Sequence, residues 1–493
     1  MNAPAPSPIR TALARWRDAV FAIDLEWLAL FRILLGLLFL ADVWLWAPNV
    51  DMVLTDHGIF PLSLWHAYFS SRPSFHALAG SAGFEWALLL AGIPPAVAFT
   101  LGWHTRKAQI LTWIFWSSLQ HRAPLILNGG DEVMRLLLFW SVFLPLHARW
   151  SLDARAGRAA AWARVDGVRN LASAALLLQV AVIYPVSVIH KLRFPVWQDL
   201  SFLERAMRID SVATGIGRLL LQIPDLLPVI SWATLQLEAF GLLLVFSPFA
   251  TRITRTIGVA AYMALHGIGI GAAMDIGLFP WVMVVAWIPF LPPRRARAGA
   301  MRLAEAAAGR PESRWQRALL ATLMAGVAIH LAGTLDWIPA KRVQRVTDAI
   351  TVVRLDQRWP LWATVMPNRY YLFPAHTVSG REIDLHREGA DLDWDHPRKR
   401  TWSTRWWKYL LQLATPPARV ARPALADALA WRWNRDHPED PVDRVELWMQ
   451  IENAERDRYR TILLWSPDDL PRLGPEAIRR QALSGGGGDG PAD

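Results

Sequence analysis

The sequence predicts an all-α polytopic membrane helix bundle of about nine transmembrane helices, followed by a small α+β soluble C-terminal domain. Three observations predict it. Apolar runs long enough to span a bilayer, or nearly so, recur through the first two-thirds of the 493 residues. Lys and Arg gather in alternate connections between those runs. The chain is 53% hydrophobic and carries 28 Trp, a residue that favours the membrane–water interface.

The apolar runs lie at about 25–46, 84–103, 108–121, 131–147, 170–189, 226–248, 255–274, 276–292 and 315–337. The first starts late and is long, with no small-residue cleavage site after it, so it reads as a membrane helix rather than a cleaved signal peptide. With nine spans, one side receives Arg10, Arg15 and Arg17, then Arg106 and Lys107, the cluster from Arg149 to Arg169, Arg252 and Arg255, and the cluster from Arg294 to Arg317. That side is expected to be cytoplasmic. Lys191, Arg193, Arg205, Arg208 and Arg218, and later Lys341, Arg342 and Arg345, fall on the other side and run against the bias.

Four segments follow: a cytoplasmic N-terminal piece at 1–20, the membrane region at 21–338, the soluble domain at 339–483, expected to be periplasmic, and a Gly-rich flexible tail at 484–493. In the soluble part, Val445, Leu447, Met449 and Ile451 alternate with polar or interfacial residues, as in a half-buried strand, with 459–465 as its partner. Residues 402–414 and 423–435 have helical spacing. The outer connection 48–83, with Trp65, Tyr68 and Phe69, reads as a re-entrant or interfacial helix.

The formal charge of +10 does not mark a nucleic-acid binder, because the basic residues sit between apolar runs, as in loops lying on anionic lipid. The chain has no Cys, which excludes disulfides and thiolate chemistry. Walker, zincin, nucleophile-elbow and dinucleotide motifs are missing, and the 13 His have no spacing that nominates a metal site.

Ionisable residues inside the apolar runs are costly and need a reason. Arg32, Arg135 and Glu238 read either as paired within the bundle or as functional. Asp42 and Glu85 lie near the outer surface, where water can reach them. Lys191 reads as an interfacial lysine or, partly withdrawn from water beside Tyr184 and Trp197, as a base. His266, among Gly267, Gly269 and Gly271, reads as a packed histidine or as one wall of a flat ligand's site. Asp131 and Glu132 would cap the fourth helix, with Glu132 and Arg135 spaced for an i,i+3 ion pair.

Residues 122–131 read Arg-Ala-Pro-Leu-Ile-Leu-Asn-Gly-Gly-Asp and precede an apolar helix ending Phe-Leu-Pro-Leu at 143–146. Residues 184–192 read Tyr-Pro-Val-Ser-Val-Ile-His-Lys-Leu, followed by Trp197. Both resemble the signature of the HTTM family, the horizontally transferred transmembrane domain, over about residues 20–300. Residues 355–362 and 380–385 look like the stretch that follows the helices in bacterial members. The best known members are the vitamin K-dependent gamma-carboxylases. There, a lysine at the position resembling Lys191 deprotonates vitamin K hydroquinone, and the resulting strong base removes a glutamate proton before CO₂ adds.

The resemblance implies Lys191 as the catalytic base, with His266 at a position similar to a second polar residue of those enzymes. His190, Tyr184, Trp197, Asn128, Asp131, Arg122 and Glu238 are the expected pocket. Reduced vitamin K or another quinone is the implied cofactor, a secreted peptide or protein an implied partner, and a bacterial inner membrane the implied location. The chain departs from the carboxylases in having Gly129 and Gly130 where they carry a histidine. It also has only about 150 residues in place of their large lumenal domain. A non-enzymatic factor for maturation or export of a secreted protein is the competing reading. A transporter is a third, without the inverted repeats that would support it.

Overall fold

A computed structural model describes residues 8–70, 73–293, 303–304, 313–397, 402–453 and 458–469. Most of the basic cluster expected between Arg294 and Arg317, and the Gly-rich tail, lie outside the described residues.

Six helical stretches are long and apolar enough to cross a membrane: Leu25–Leu54, Ala82–Leu101, Leu171–Lys191, Leu226–Val245, Thr251–Ala273 and Arg314–Thr334. The other three predicted runs also form helices, but of a different kind. Thr105–Arg122 is polar at both ends, Gly129–Ser141 has only 13 residues, and Phe279–Trp287 is extended by a single 3-10 turn. The last two are buried along most of their length. A helix enclosed by other helices needs neither a lipid-facing apolar surface nor full bilayer length, which is why length and composition alone set these three apart.

Asp24 starts the first long helix by accepting hydrogen bonds from the N–H groups of Glu26 and Trp27. That helix packs against Ile93–Leu101, and at Gly36 the contact is so close that a Cβ would overlap the Thr100 hydroxyl. Leu226–Val245 and Thr251–Ala264 form an antiparallel hairpin crossing at Gly241 and Gly258.

Two arginines inside the predicted runs fasten the end of the bundle nearest the N-terminus. Arg32 donates to the carbonyls of Leu146, Arg149 and Trp150, the shortest bond being 2.5 Å. Arg255 donates to Ala19, Val20 and Phe290. At the same end the Asp153 carboxylate caps the Thr105–Arg122 helix from a distant loop. Burial pushes its pKa up, but the Thr105 N–H and hydroxyl, Arg158 and the His104 N–H all donate to it, and their sum holds it at about 2.

At the opposite end the C-terminal region covers the bundle. It contains a three-stranded sheet ordered Arg458–Trp465, Leu447–Asn453, Arg369–Leu372, and a four-stranded sheet built around Pro374–Thr377. The predicted strand pair is present and antiparallel, with Tyr459 opposite Glu452. The predicted strand is interrupted at Glu446, whose N–H turns aside to the Pro374 carbonyl. The two predicted helices are Thr404–Leu413 and Arg422–Asp436.

The connection 48–83 contains a short helix, Leu62–Tyr68, packed inward, with the Trp65 indole donating to the His121 carbonyl. Its neighbours Phe60 and His57 meet Tyr409 and Trp431 of the C-terminal region. Arg135 reaches up to the carbonyls of Arg354 and Asp356. The i,i+3 pair expected between Glu132 and Arg135 therefore gives way to longer-range partners, and Glu132 accepts the Arg358 N–H.

Two acids expected to be wet are buried instead. Glu85 is hydrogen-bonded to His76 at 2.6 Å. Asp42 accepts from Arg405 at 2.6 Å, and the same guanidinium reaches Asp131 at 3.1 Å while lying over the Trp46 ring. The sequence placed these carboxylates near a surface, but the C-terminal region covers Asp42, and the connection 48–83 with Arg122 encloses Glu85.

Removing one member of a buried charge cluster leaves the others uncompensated, at a cost of about 3–5 kcal/mol. Arg405→Ala is expected to lower the thermal unfolding temperature of the purified chain in micelles far more than Arg419→Ala, an arginine outside the cluster. Asp153 gives an acid-side prediction. Its folded pKa is depressed below the ordinary value of 3.8, so its contribution is complete above that pH and fades as pH falls through about 2. Asp153→Asn should lower stability at neutral pH and flatten this part of an acid titration followed by circular dichroism.

Candidate functional site

Lys191 ends the Leu171–Lys191 stretch, and its side chain turns into the bundle rather than out to the interface. It is 3% exposed, and Nζ donates to both carboxylate oxygens of Glu238, at 2.6 and 2.5 Å. The ammonium also lies 4.5 Å from the centre of the Trp197 ring. Trp197 is held by a stack on Phe202 and by a hydrogen bond from its indole to the Trp362 carbonyl. The C-terminal region therefore contributes to the wall around Lys191.

Tyr184 lies seven residues before Lys191, two turns back on the same helix face. Its hydroxyl meets His266 Nε2 at 2.9 Å and receives the Trp287 indole N–H at 2.6 Å. The indole can only donate. The Tyr184 hydroxyl then keeps both its proton and a second lone pair for Nε2, so either neutral tautomer of His266 satisfies this contact. His266 Nδ1 is buried with no hydrogen-bond partner among the described residues. Tyr262 stacks on Trp287 and tilts against Tyr184, closing an aromatic wall. The Tyr262 hydroxyl donates to the carbonyl of Leu237, one residue before Glu238, which joins this wall to the Lys191 pair.

The backbone around His266 departs from the α form. Leu265–Ile270 is a π turn, a wide turn often associated with functional positions. The adjacent glycines admit a neighbouring helix rather than an open space. A Cβ on Gly267 would press on Val284, and one on Gly271 would lie 3.4 Å from the Pro280 Cβ.

Eight of the nine predicted residues divide into three groups, and His190 stands apart. Lys191, Glu238, Trp197, Tyr184 and His266 converge. Asn128 and Asp131 form a second group beside them. They make a reciprocal capping box at the start of Gly129–Ser141, and Asp131 is engaged by Arg405. Gly129 and Gly130 pack on Phe279, whose ring meets His266 edge-on. The cavity at this turn measures about 50 Å³, enough for a water or two and too small for a quinone ring.

Arg122 belongs to a third group. It donates to the His76 and Leu54 carbonyls and approaches Glu85, with no contact to Lys191. Among the described residues, no hydrogen bond joins His190 to the Lys191 pair and none reaches its enclosed Nε2. Trp287, Tyr262, Phe279, Trp362 and Arg405 were missed. The four aromatic residues had no spacing that set them apart from other aromatics. Arg405 lies 274 residues from Asp131.

With this geometry in place, comparison with known proteins is brief. The HTTM domain model matches residues 21–294, more than half of the chain. No curated protein and no solved structure matches. The chain belongs to the HTTM family.

Proposed function

We propose that the chain is a multi-pass membrane enzyme that takes a proton from a lipid-soluble, quinol-like ligand, with the Lys191–Glu238 pair as the base. The observation that carries this reading is a buried Lys–Glu couple beside a second polar group, His266, whose Nδ1 has no hydrogen-bond partner among the described residues. A buried ion pair is rarely more stable than apolar residues of the same volume, so its presence calls for a role beyond packing.

The available donors and walls fit a flat aromatic ligand with oxygen substituents. Trp197, Tyr262, Trp287 and Phe279 supply ring faces and edges, and His266 Nδ1 supplies a hydrogen-bonding partner for a ligand hydroxyl. Glu238 takes the proton from the ligand hydroxyl, and Lys191 keeps its ammonium beside the oxygen that loses it. A bound hydroquinone would supply the oxygen-dependent chemistry that side chains lack. This reading assigns basicity to the pair, since an ammonium held by a carboxylate is not by itself a base.

A second reading has its own support. Lys191 and Glu238 satisfy each other, and neither lines the cavity at the Asn128 turn or the one between Thr214 and Asp275. A non-enzymatic factor that handles a secreted protein would use the pair only to fix its helices.

The orientation proposed with this function places the N-terminus in the cytoplasm of a bacterial cell. All nine helices cross the inner membrane, and the C-terminal region is periplasmic. The basic connections at 106–107 and 149–169 carry this part of the reading.

The purified chain in nanodiscs is expected to accelerate aerobic oxidation of a reduced naphthoquinone, followed by loss of hydroquinone fluorescence. Lys191→Ala and Glu238→Gln should each reduce that rate by roughly 10²-fold or more. A wild-type rate equal to that of empty nanodiscs would favour the non-enzymatic factor. For orientation, the absence of Cys makes each introduced thiol unique. In sealed right-side-out vesicles, a membrane-impermeant maleimide should label Val378→Cys and leave Ala156→Cys unlabelled until the vesicles are opened. Both positions are exposed.

A further inference from the structure

A cavity at the Lys191 end of the bundle lies to one side of the pair. Its volume is about 360 Å³, and Thr214, Gly215, Arg218, Asp275, Gly277 and Trp281 are among its lining residues. Two loops form its walls, and backbone pairing holds them together. Ala213 and Met274 make an antiparallel bridge, Thr214 N–H donates to the Ala273 carbonyl, and the Asp275 N–H donates to Val212. The Thr214 hydroxyl adds a bond to Ala272. The cavity is therefore a fixed feature of the fold.

Its charges are complementary in sign but not joined. Arg218 makes one hydrogen bond from its guanidinium, to the Ala213 carbonyl, and no ion pair among the described residues. The Asp275 carboxylate has neither a hydrogen bond nor an ion pair among them. Both side chains are exposed and line the same space. An anion alone would meet Asp275, and a cation alone would meet Arg218. A ligand carrying both a phosphate and an ammonium satisfies each.

The rim identifies the rest of the ligand. Trp281 lines the cavity, and Ile216 and Leu219 adjoin its lining residues in sequence; these three and Ile268 are all at least half exposed. Ile268 belongs to the candidate span Thr251–Ala273, and Asp275 lies two residues beyond its end. Exposed apolar side chains near the end of a span, with a Trp lining a charged cavity there, match the interface of a bilayer.

We propose that this cavity binds the headgroup of a phospholipid of the ethanolamine type, with its phosphate on Arg218, its ammonium on Asp275 and its acyl chains along the apolar rim. This site is independent of the reading given to Lys191.

The test uses the full chain in micelles, offered an equimolar mixture of dioleoyl phosphatidylethanolamine, phosphatidylcholine and phosphatidylglycerol, with retained lipid counted by native mass spectrometry. The wild type should retain phosphatidylethanolamine preferentially. Loss of one charge-assisted contact should lower that retention about tenfold in Arg218→Ala and in Asp275→Ala. Asp275→Ala should also move the preference toward phosphatidylglycerol, and Arg218→Lys should keep part of the retention. Water-soluble glycerophosphoethanolamine at equal concentration should not displace the lipid. Equal retention of the three lipids, a wild-type preference for phosphatidylglycerol, unchanged retention in both alanine variants, or displacement by the soluble headgroup would each overturn the proposal.

Discussion

The guanidinium of Arg405 lies between the carboxylates of Asp42 and Asp131, and much of the remaining structure follows from that contact. Asp42 stands near the end of the first long helix, and Asp131 opens the Gly129–Ser141 helix. Neither could remain charged and buried without a cation from elsewhere. The cation comes from the C-terminal region, so covering the bundle and neutralising its acids are the same event. Once that region is seated, Trp362 can hold Trp197, and Trp197 can lie against Lys191. The candidate site thus depends on a segment far beyond the helices that carry its polar groups.

Arginine performs a related task at both ends of the bundle. Arg32, Arg135 and Arg255 all spend most of their donors on carbonyl oxygens at helix ends and loops, where backbone acceptors would otherwise be left over. Their planar, multi-donor geometry suits this role better than an ammonium would. Lys191, like Arg405, is a buried cation given to carboxylate rather than to backbone. It differs from Arg405 in being an ammonium, which gives up a proton far more readily than a guanidinium.

The helices were legible because apolar runs and charged connections leave a strong pattern in the sequence. The strand pair at 447–465 was legible from its alternation. Lys191, Tyr184, His266, Trp197 and Glu238 were each singled out, but their meeting was not readable as a geometry. Glu238 lies 47 residues from Lys191, and nothing in either helix specifies which face turns to the other. Asp42 and Glu85 were misread because their cover comes from segments remote in sequence or irregular in structure. Arg122 was grouped with the site because it shares a motif with Asp131. The 3-10 turn between them, Pro124–Ile126, separates their environments.

The π turn at Leu265–Ile270 has a consequence for how this helix can vary. A π turn holds one residue more than the α turn it replaces, and each residue of an α-helix advances the face by about 100°. The extra residue therefore sets the phase of everything after it, including Gly271 and the loop that carries Asp275. A deletion of a single residue here would leave a regular helix of good local geometry. It would also rotate Gly271 away from Pro280 and carry Asp275 off the wall it shares with Arg218. In this segment, chain length is as much a determinant of the surface as residue identity.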